Sequence, residues 1–535
     1  MGIRRPKSRG ALNAAWVIVA VAALAAVLFV VFASGNSHSD DAEVGPLVEP
    51  PVALPESISP PELADATERW GLDAQQSKAI GSDVAAAGAA LHDLDHDGDL
   101  DLVVAHDDIT VYVWHEDHFL PPTTLSTTGA RAITIADVDA DDRPDLLIAR
   151  TGDLDSIIWG GEWIAAGTIP ESTDLAAEGS SAGLLAAELS GDGTIDIVRL
   201  SRGNGSGEVD TLWLGDPDQP RAFTPTALGD DARLSLAGEI IDVDEDGLLD
   251  VWVTRDLGWD SGGDSVYSRV GDASGPWTDI AAELGVALEI DGMGITLADL
   301  NGDLELDAYV SDLGNNEILI RTGNKFSAAD STGAARIRPL GAEPTIVSSS
   351  WASGALDLNL DGHLDLVVVN GGFANGEMTN KIPDTEVAVT DPPALLIGIG
   401  NGQFVETWPD VNLPWASASR GLTIGDIDSD GDDDVIVVAV DGTLTALENQ
   451  MSGTSVNVRP ETECNSVGAI VTVTQADLAY QAPLIRHTYG GQHSPNLTVG
   501  LVGPSALIEV SWPDGTTFAE SVPEARSGEV IVPCR

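Results

Sequence analysis

A nine-residue acidic segment recurs seven times in this chain and constrains its fold more than any other feature. The first copy, residues 93–101, reads Asp-Leu-Asp-His-Asp-Gly-Asp-Leu-Asp. The other copies, which we number as loops two to seven, span 137–145, 188–196, 242–250, 299–307, 357–365 and 426–434. Each follows a small or apolar stretch, and each ends on an aspartate that opens an apolar, strand-like run. The pattern predicts a repeating unit of strand, acidic loop and strand.

The spacing of oxygen-bearing side chains within the loops predicts calcium sites. Alternate side chains of the loop aim at one point, a glycine at position six lets the backbone turn back, and position seven offers its carbonyl. Calcium takes six to eight oxygens at about 2.3–2.6 Å, whereas magnesium demands a tighter octahedron. We therefore expect up to seven Ca²⁺ ions, held at positions one, three, five, seven and nine of each loop. These residues are Asp93, Asp95, Asp97, Asp99, Asp101; Asp137, Asp139, Asp141, Arg143, Asp145; Glu188, Ser190, Asp192, Thr194, Asp196; Asp242, Asp244, Asp246, Leu248, Asp250; Asp299, Asn301, Asp303, Glu305, Asp307; Asp357, Asn359, Asp361, His363, Asp365; and Asp426, Asp428, Asp430, Asp432, Asp434.

The loops differ in how closely they follow the pattern. Loops one, four, six and seven match it best. Loops two and five carry Asp142 and Leu304 at position six, where glycine is favoured, and Gly302 offers loop five a different path. Loop three has Glu188 and Ser190, which give less charge and a longer first arm. We expect the ions mainly to brace the strands of each unit, with a direct role in function as the alternative.

Charge and composition limit the classes of function and fold. The formal net charge of −61 argues against nucleic acid as a partner, because its phosphates would be repelled. The 43% of hydrophobic residues, arranged in strand-like runs, argues against disorder. Units of 40–60 residues rich in short strands predict an all-β fold, a seven-bladed propeller over residues 62–452. A linear β-solenoid is the alternative.

The N-terminal region predicts an anchor and a stalk. Residues 1–10 are basic, and residues 11–33 are uncharged and almost wholly apolar, long enough to span a bilayer. Basic residues on the N-terminal side predict a cytoplasmic tail and an outward-facing chain on the cell membrane. A cleaved signal peptide, leaving a secreted protein, is the alternative. Residues 34–61 are acidic and proline-rich, which predicts an extended stalk.

The last segment, residues 455–535, has no acidic loop. It alternates apolar and polar residues, as in 469–474 and 507–512, and predicts a small β-sandwich-like module. The two cysteines of the chain, Cys464 and Cys534, bracket this module and suggest a disulfide bond. Two free thiols are the alternative.

These motifs together resemble a known family. The loops look like the FG-GAP or VCBS repeats of integrin α-chain propellers. The order of Gly-Met-Gly at 292–294, Trp-Ala-Ser-Gly at 351–354 and Ser-Arg-Gly-Leu at 419–422 resembles the cartilage-acidic-protein family. Val-Gly-Ala at 467–469, Tyr-Gly-Gly-Gln at 489–492 and Ser-Trp-Pro-Asp-Gly at 511–515 resemble its C-terminal ASPIC/UnbV domain. The resemblance covers about residues 61–535. It implies a secreted or surface-displayed calcium-binding propeller, without a settled ligand or catalytic mechanism.

Other side chains give weaker signals. Five histidines crowd the first unit without a recognisable ligand spacing, which favours surface histidines over a transition-metal site; they are His92, His96, His106, His115 and His118. His487 and His493, close to Arg486, are candidates for a small polar pocket. Trp252 and Trp512 fall within predicted strands, which favours core packing over a sugar-binding face.

The sequence predicts a function in binding rather than catalysis. No nucleophile elbow, zinc-protease motif or phosphate loop is found in the sequence. We expect a surface-anchored, calcium-binding adhesion or binding protein whose ligand is an extracellular protein or a glycan. The alternative is an exported enzyme, such as a polysaccharide-active one, built on a calcium-braced propeller.

Overall fold

The computed structural model describes residues 54–55, 58–72, 87–161, 170–175, 179–202, 207–269, 271, 275–329, 346–372, 386–387, 391–407, 418–461, 466–523 and 528–533. All of them belong to one compact unit, Ala53–Arg535. The expected basic tail and membrane anchor lie outside the described residues, as do both residues of the expected disulfide, Cys464 and Cys534. Among the described helices, none is long and apolar enough to cross a membrane.

Seven units, which we number as sheets one to seven in chain order, make up most of the described chain. Sheets one and two are joined in one eight-stranded sheet, and the other five are separate four-stranded antiparallel sheets. In each of them the first strand leads into an acidic loop, and the second strand starts at the ninth residue of that loop. Strand β6 serves two sheets, because its start pairs with β3 and its end pairs with β7. In chain order, the strands as far as sheet three are β1 (Leu63–Asp65), β2 (Gly88–His92), β3 (Asp101–Tyr112), β4 (Trp114–His115), β5 (His118–Phe119), β6 (Thr123–Ala136), β7 (Asp145–Arg150), β8 (Ser156–Ile158), β9 (Ser172–Asp174), β10 (Ser181–Ala187), β11 (Asp196–Ser201), β12 (Glu208–Asp216) and β13 (Gln219–Arg233).

Sheets four to seven repeat the same four-stranded arrangement. Two single-turn helices, α1 (Gly258–Ser261) and α2 (Ala281–Leu284), flank the outer strands of sheet four. The strands are β14 (Ser235–Ile241), β15 (Asp250–Arg255), β16 (Ser265–Arg269), β17 (Trp277–Asp279), β18 (Ile295–Ala298), β19 (Asp307–Val310), β20 (Glu317–Thr322), β21 (Lys325–Ala328), β22 (Ile346–Val347), β23 (Ser350–Leu356), β24 (Asp365–Asn370), β25 (Glu386–Val387), β26 (Ala394–Gly398), β27 (Phe404–Glu406), β28 (Ser419–Gly425), β29 (Asp434–Ala439) and β30 (Leu444–Asn449).

The first strands of the sheets form a closed ring. They contact one another in the cyclic order β2, β6, β10, β14, β18, β23, β28 and back to β2. The N-terminal strand β1 pairs with β30 and so completes sheet seven. Second strands such as β24 are apolar runs buried on both faces, because each sheet packs between two neighbours. The fold is therefore all-β and propeller-like.

The C-terminal segment forms two further sheets that share an apolar core with the ring. They have the strand orders β36-β31-β39 and β33-β32-β37-β38. Val458, Val473 and Ile508, from the two sheets, lie in one apolar cluster that also contains Leu300 and Leu366 of the ring. The module therefore packs directly on sheets five and six. Its strands are β31 (Ser455–Pro460), β32 (Ile470–Gln475), β33 (Leu478–Pro483), β34 (His487–Thr488), β35 (Gly491–Gln492), β36 (Leu497–Gly500), β37 (Ser505–Ser511), β38 (Thr517–Pro523) and β39 (Gly528–Val532).

A short hairpin of this module enters the centre of the ring. Residues 486–496, which we call the central hairpin, contain β34 and β35. These two strands contact the first strands of six of the seven sheets, and β35 pairs in parallel with β2 through Gln492 and Ala90. Tyr489 packs edge-on against Trp351 of sheet six, with ring centroids 5.1 Å apart. The hairpin thus ties the sheets together from inside the ring.

Candidate metal centre

All seven acidic loops follow the same backbone path. Positions four and six both have positive φ, between 54° and 102°. Position four is His96, Ala140, Gly191, Glu245, Gly302, Leu360 or Ser429, and position six is Gly98, Asp142, Gly193, Gly247, Leu304, Gly362 or Gly431. The expectation that Gly302 gives loop five a different path is therefore wrong. Leu304 adopts the left-handed conformation despite its side chain, at a cost of about 1–2 kcal/mol.

The carboxylate at position one organises the loop by accepting backbone hydrogen bonds. In loop one, Asp93 accepts the amides of Asp97 at 3.1 Å and Gly98 at 3.0 Å. The first residues of loops two, four, five and six accept the amides of positions five and six in the same way. These bonds turn the loop back on itself, so that its alternate side chains converge.

The aspartate at position nine connects the loop to the sheet. All seven of these residues are fully buried. One oxygen accepts the amide of position two at 2.8–3.0 Å in every loop. In six loops the other oxygen accepts a backbone amide further along the chain. The donor lies on or next to the third strand of the sheet in five of them, and it is Trp114 of β4, at 2.9 Å, for Asp101. Asp250 is the exception, because its Oδ1 meets no hydrogen-bond donor among the described residues.

Four loops bring three carboxylates together, with one oxygen of each within 4.8 Å of the others. Every one of these groups includes the acid at position three. Loops three, five and six carry Ser190, Asn301 and Asn359 at that position, and no such group is found there among the described residues. Loop two therefore gathers its acids as loop one does, although it lacks the favoured glycine. The groups are Asp93, Asp95, Asp101; Asp137, Asp139, Asp145; Asp242, Asp244, Asp246; and Asp426, Asp428, Asp434.

Burial makes these carboxylates costly to ionise in the absence of a cation. It raises the pKa of Asp101 to about 8 and the pKa values of Asp145, Asp250 and Asp307 to about 7, with further increases from neighbouring acids. The pKa of Asp434 is raised well above 3.8 for the same reason. A divalent cation at the point of convergence would reverse this effect, because it favours the charged form.

Loop seven is the best candidate for a metal site, because several of its buried carboxylate oxygens have no hydrogen-bond donor. Oδ1 of Asp426, Oδ1 of Asp428 and both carboxylate oxygens of Asp432 are buried without a hydrogen-bond donor. Buried carboxylates without partners are strongly unfavourable, and calcium prefers such oxygens as ligands. Asp433 in the same loop accepts a 2.7 Å hydrogen bond from Thr498 of the C-terminal module. An ion here would therefore also fix a contact between the ring and that module.

Loop two already has a cation beside its acids. The guanidinium of Arg221, from strand β13, forms an ion pair with Asp139 and lies 3.6 Å from Asp141. It also lies 4.6 Å from the centroid of the Trp159 ring. No local pattern in the sequence indicates this arrangement, because Arg221 lies in the next sheet. Arg221 thus offers loop two an internal alternative to a divalent ion.

The loops differ in what covers them. The C-terminal module reaches loops five, six and seven: Asp299 donates its amide to Gln481, Gly362 lies close to Leu478, and Asp433 accepts from Thr498. Loops one to three border open clefts instead.

The backbone amides at position seven donate to the position-five carboxylates, as Asp99 does to Asp97 at 3.1 Å. The use of the position-seven carbonyls as ligands stays a prediction.

The predictions for histidine and tryptophan need correction in part. No histidine joins a three-ligand group in the described part of the chain, but His92 and His106 are buried rather than on the surface. His487 and His493 lie buried in the central hairpin, where burial lowers the pKa of His493 to about 3. Trp252 is fully buried, and Trp512 packs partly exposed on the core of the C-terminal module.

The buried residue that sequence reasoning missed is Glu239 of strand β14. Its two carboxylate oxygens accept from the backbone amide and from Nδ1 of His487, both at 2.8 Å. The second bond engages Nδ1 of His487 and leaves Nε2 as the other polar atom of the ring. The two adjacent glycines at 490–491 are the sequence feature that could have indicated a close approach between the hairpin backbone and a neighbouring strand.

Comparison with known protein families supports the prediction that the acidic loops belong to FG-GAP-like repeats. Residues 93–148 and 357–437 match the FG-GAP-like repeat. Among curated proteins, none matches the chain significantly. The chain therefore contains FG-GAP-like repeats on a propeller-like fold. The predicted resemblance to the cartilage-acidic-protein type and to the ASPIC/UnbV domain stays a prediction.

Three solved structures show distant similarity. The BP39L lectin from Burkholderia pseudomallei is 14% identical, with a TM-score of 0.46 over 68% of this chain and 96% of that chain. BBS1N, in a complex with ARL6DN soaked with lead, is 13% identical, with a TM-score of 0.41 over 69% and 93%. The Dos1 propeller is 11% identical, with a TM-score of 0.37 over 66% and 77%. At these TM-scores, none of the three bears on the function of this chain.

Proposed function

We propose that this chain is a calcium-binding, seven-bladed propeller that acts outside the cytoplasm as an anchored binding or adhesion protein. One observation carries the calcium part of the proposal. In four loops, three carboxylates converge, and the buried position-nine aspartate that starts the second strand accepts the backbone amide of position two. An ion in such a loop would bind to the turn that connects the first and second strands of the sheet.

The ions would act mainly on stability. Extracellular calcium modules commonly bind with dissociation constants of about 10⁻⁴–10⁻³ M. At about 2 mM free calcium, each such site would stabilise the folded chain by about 0.7–1.8 kcal/mol. Calcium suits the loops better than magnesium. Magnesium requires a near-ideal octahedron, whereas calcium accepts the larger and less regular set of oxygens that each loop offers.

The role in binding follows from where the chain is expected to reside. The apolar segment 11–33 would hold the chain in the cell membrane, with the stalk and the ring on the outer side. Millimolar calcium is available there. We propose that the partner is an extracellular protein or a glycan, and that the chain binds this partner without catalysing a reaction.

Calorimetric titration of the purified full chain with CaCl₂ tests the proposal, with MgCl₂ as the comparison. We expect calcium to bind with a higher affinity than magnesium, and EDTA to lower the denaturant midpoint of unfolding. Asp428→Asn in loop seven should remove about one bound ion. Asp218→Asn, an exposed acid outside the loops, is the matched control and should leave the stoichiometry unchanged. Absence of calcium binding, together with unfolding that does not respond to EDTA, would refute the proposal.

A screen of the calcium-loaded chain tests the second half of the proposal. Arrays of glycans and of extracellular proteins would be probed with and without EDTA. A partner retained only with calcium supports an adhesion role. Turnover of a glycan on the array, detected as released fragments, would instead favour the enzyme.

A further inference from the structure

A cavity of about 370 Å³ lies at the seam between the ring and the C-terminal module. Asp93 and His96 of loop one and Asp137 of loop two lie on its ring side, and Asn496 lies on its module side. The central hairpin contributes Gln492. The volume lies within the range of about 300–1,000 Å³ that small-molecule sites occupy. Asp93 and Asp137 also belong to the carboxylate groups that converge within loops one and two, so the cavity borders both groups.

The hairpin presents fixed polar groups to this cavity. His487 is 3% exposed, and Glu239 holds its Nδ1 and its backbone amide at 2.8 Å each. Its Nε2 is therefore the ring nitrogen that can meet a ligand, as an acceptor in a neutral ring or as a donor in a protonated one. Gln492 is 2% exposed, and its Oε1 accepts the amide of Ile135 at 3.2 Å. Its NH₂ group is then the donor that can meet a ligand. Such pre-organised groups reduce the entropy lost on binding.

Apart from Glu461, the charged groups around the cavity have a partner within the protein or lie in a loop that could hold an ion. Arg459 forms a two-point ion pair with Glu529, at 2.8 and 3.0 Å. His487 faces Glu239. The acids of loops one and two would be neutralised by calcium, and this step rests on the proposed function. With those charges paired, the lining favours a neutral ligand that both donates and accepts hydrogen bonds.

Loop one adds a direct means of holding hydroxyl groups. Asp95 and Asp97 are exposed, and Asp93 and Asp97 border the cavity. Calcium takes six to eight oxygens, so an ion in an exposed loop completes its shell with water or with ligand oxygens. The apolar side chains of Ile135 and Ile195 form another part of the wall, and they suit the C–H faces of a ring.

We propose that this cavity binds a neutral, hydroxyl-rich ligand, namely a single sugar residue of a glycan. Its hydroxyls would form hydrogen bonds with the NH₂ of Gln492 and with Nε2 of His487, and the acids of loop one that border the cavity would hold a calcium ion within reach of a further hydroxyl. The proposal names the ligand class of the proposed binding protein and places its site at the seam.

The test uses the full chain in a detergent whose headgroup is not a sugar, with calcium present. Glucose, galactose, mannose, N-acetylglucosamine and N-acetylgalactosamine are the probes, and binding is read by ligand-observed NMR. Two variants alter the cavity. Ala136→Phe places a ring in its volume, and Asn496→Ala removes a polar group from its wall. Gln450→Ala, an exposed amide outside the cavity, is the matched control for Asn496→Ala.

We expect at least one sugar to bind, and both variants to weaken it tenfold or more, which equals about 1.4 kcal/mol. The control should bind as the original chain does, and calorimetry should show the same calcium binding in all four proteins. Calcium binding without binding of any sugar would overturn the site and leave the proposed function standing. Sugar binding that ignores both variants would also overturn it. If calcium fails to bind, the proposed function falls, and sugar binding sensitive to both variants would uphold the cavity alone.

Discussion

Gly491→Ala should release the central hairpin from the ring. A Cβ atom at this position would lie 1.9 Å from the carbonyl oxygen of Ala89 and 2.9 Å from its backbone nitrogen and carbon. These atoms belong to strand β2, so no side chain can move aside. The hairpin has to shift by more than an ångström, which is enough to break the 2.8 Å bonds between His487 and Glu239.

The size of the effect follows from what the shift breaks. Glu239 is 3% exposed, and a buried acceptor left without its partner costs about 1–3 kcal/mol. The edge-on contact between Tyr489 and Trp351 contributes about 0.5–1.5 kcal/mol beyond its buried area. We therefore expect the free energy of unfolding to fall by about 2–4 kcal/mol.

Urea unfolding and limited proteolysis of the full chain measure this effect. The variant should unfold at a lower urea concentration, and protease should cut within residues 486–496, which are protected in the original chain. Gly183→Ala is the matched control, because Gly183 also lies in a first strand and its added Cβ would meet only Leu200 Cδ1, at 3.5 Å. If the two variants unfold at the same midpoint with the same cleavage pattern, the reasoning about the hairpin is refuted.

Three further predictions concern the loops. Arg221→Ala should tighten calcium binding at loop two by about fivefold, because a competing and partly exposed ion pair is typically worth up to about 1 kcal/mol; calorimetry that shows unchanged or weaker binding would contradict this. Gly98→Ala should destabilise the chain by about 1–2 kcal/mol through its positive φ alone, since the added Cβ meets no atom; a urea midpoint equal to that of Gly183→Ala would contradict it. In EDTA, the raised pKa values of Asp101 (about 8) and Asp145 (about 7), against 3.8 when unfolded, mean that the folded chain binds more protons than the unfolded chain. The stability of the metal-free chain should therefore fall as pH rises from about 4 to about 8, and calcium should flatten that dependence; urea unfolding across this range is the measurement.

The repeats could be predicted because each one is identified by residues that are close together in the sequence. Acids at alternate positions, followed by an apolar run, identify each loop and the strand that starts at its ninth residue, as at Asp101 and Asp365. The path of loop five was not predictable from Leu304. The backbone bonds to Asp299 impose the same turn on this loop as on the others, and they outweigh the cost of a positive φ at leucine.

The contacts that act between sheets could not be predicted in this way. His487 and Glu239 are 248 residues apart, and neither residue stands in a recurring motif. Arg221 reaches loop two from the neighbouring sheet, 82 residues further along the chain than Asp139. Such pairs depend on how complete units are placed in the ring, and a single sequence carries no local signal for that placement.

Contacts within a sheet and contacts between sheets stabilise the fold in different ways. An aspartate at position nine joins a loop to its own sheet, so an ion in that loop strengthens one unit at a time. The central hairpin touches the first strands of six sheets at once, so it couples the units to one another. The C-terminal module reaches loops five, six and seven and leaves loops one to three beside open clefts. Ions under the module would therefore lock it to the ring, and ions beside the clefts would leave coordination positions open for a ligand. The same repeated loop would then serve structure where the module packs against it, and recognition where a cleft remains between the loop and the module.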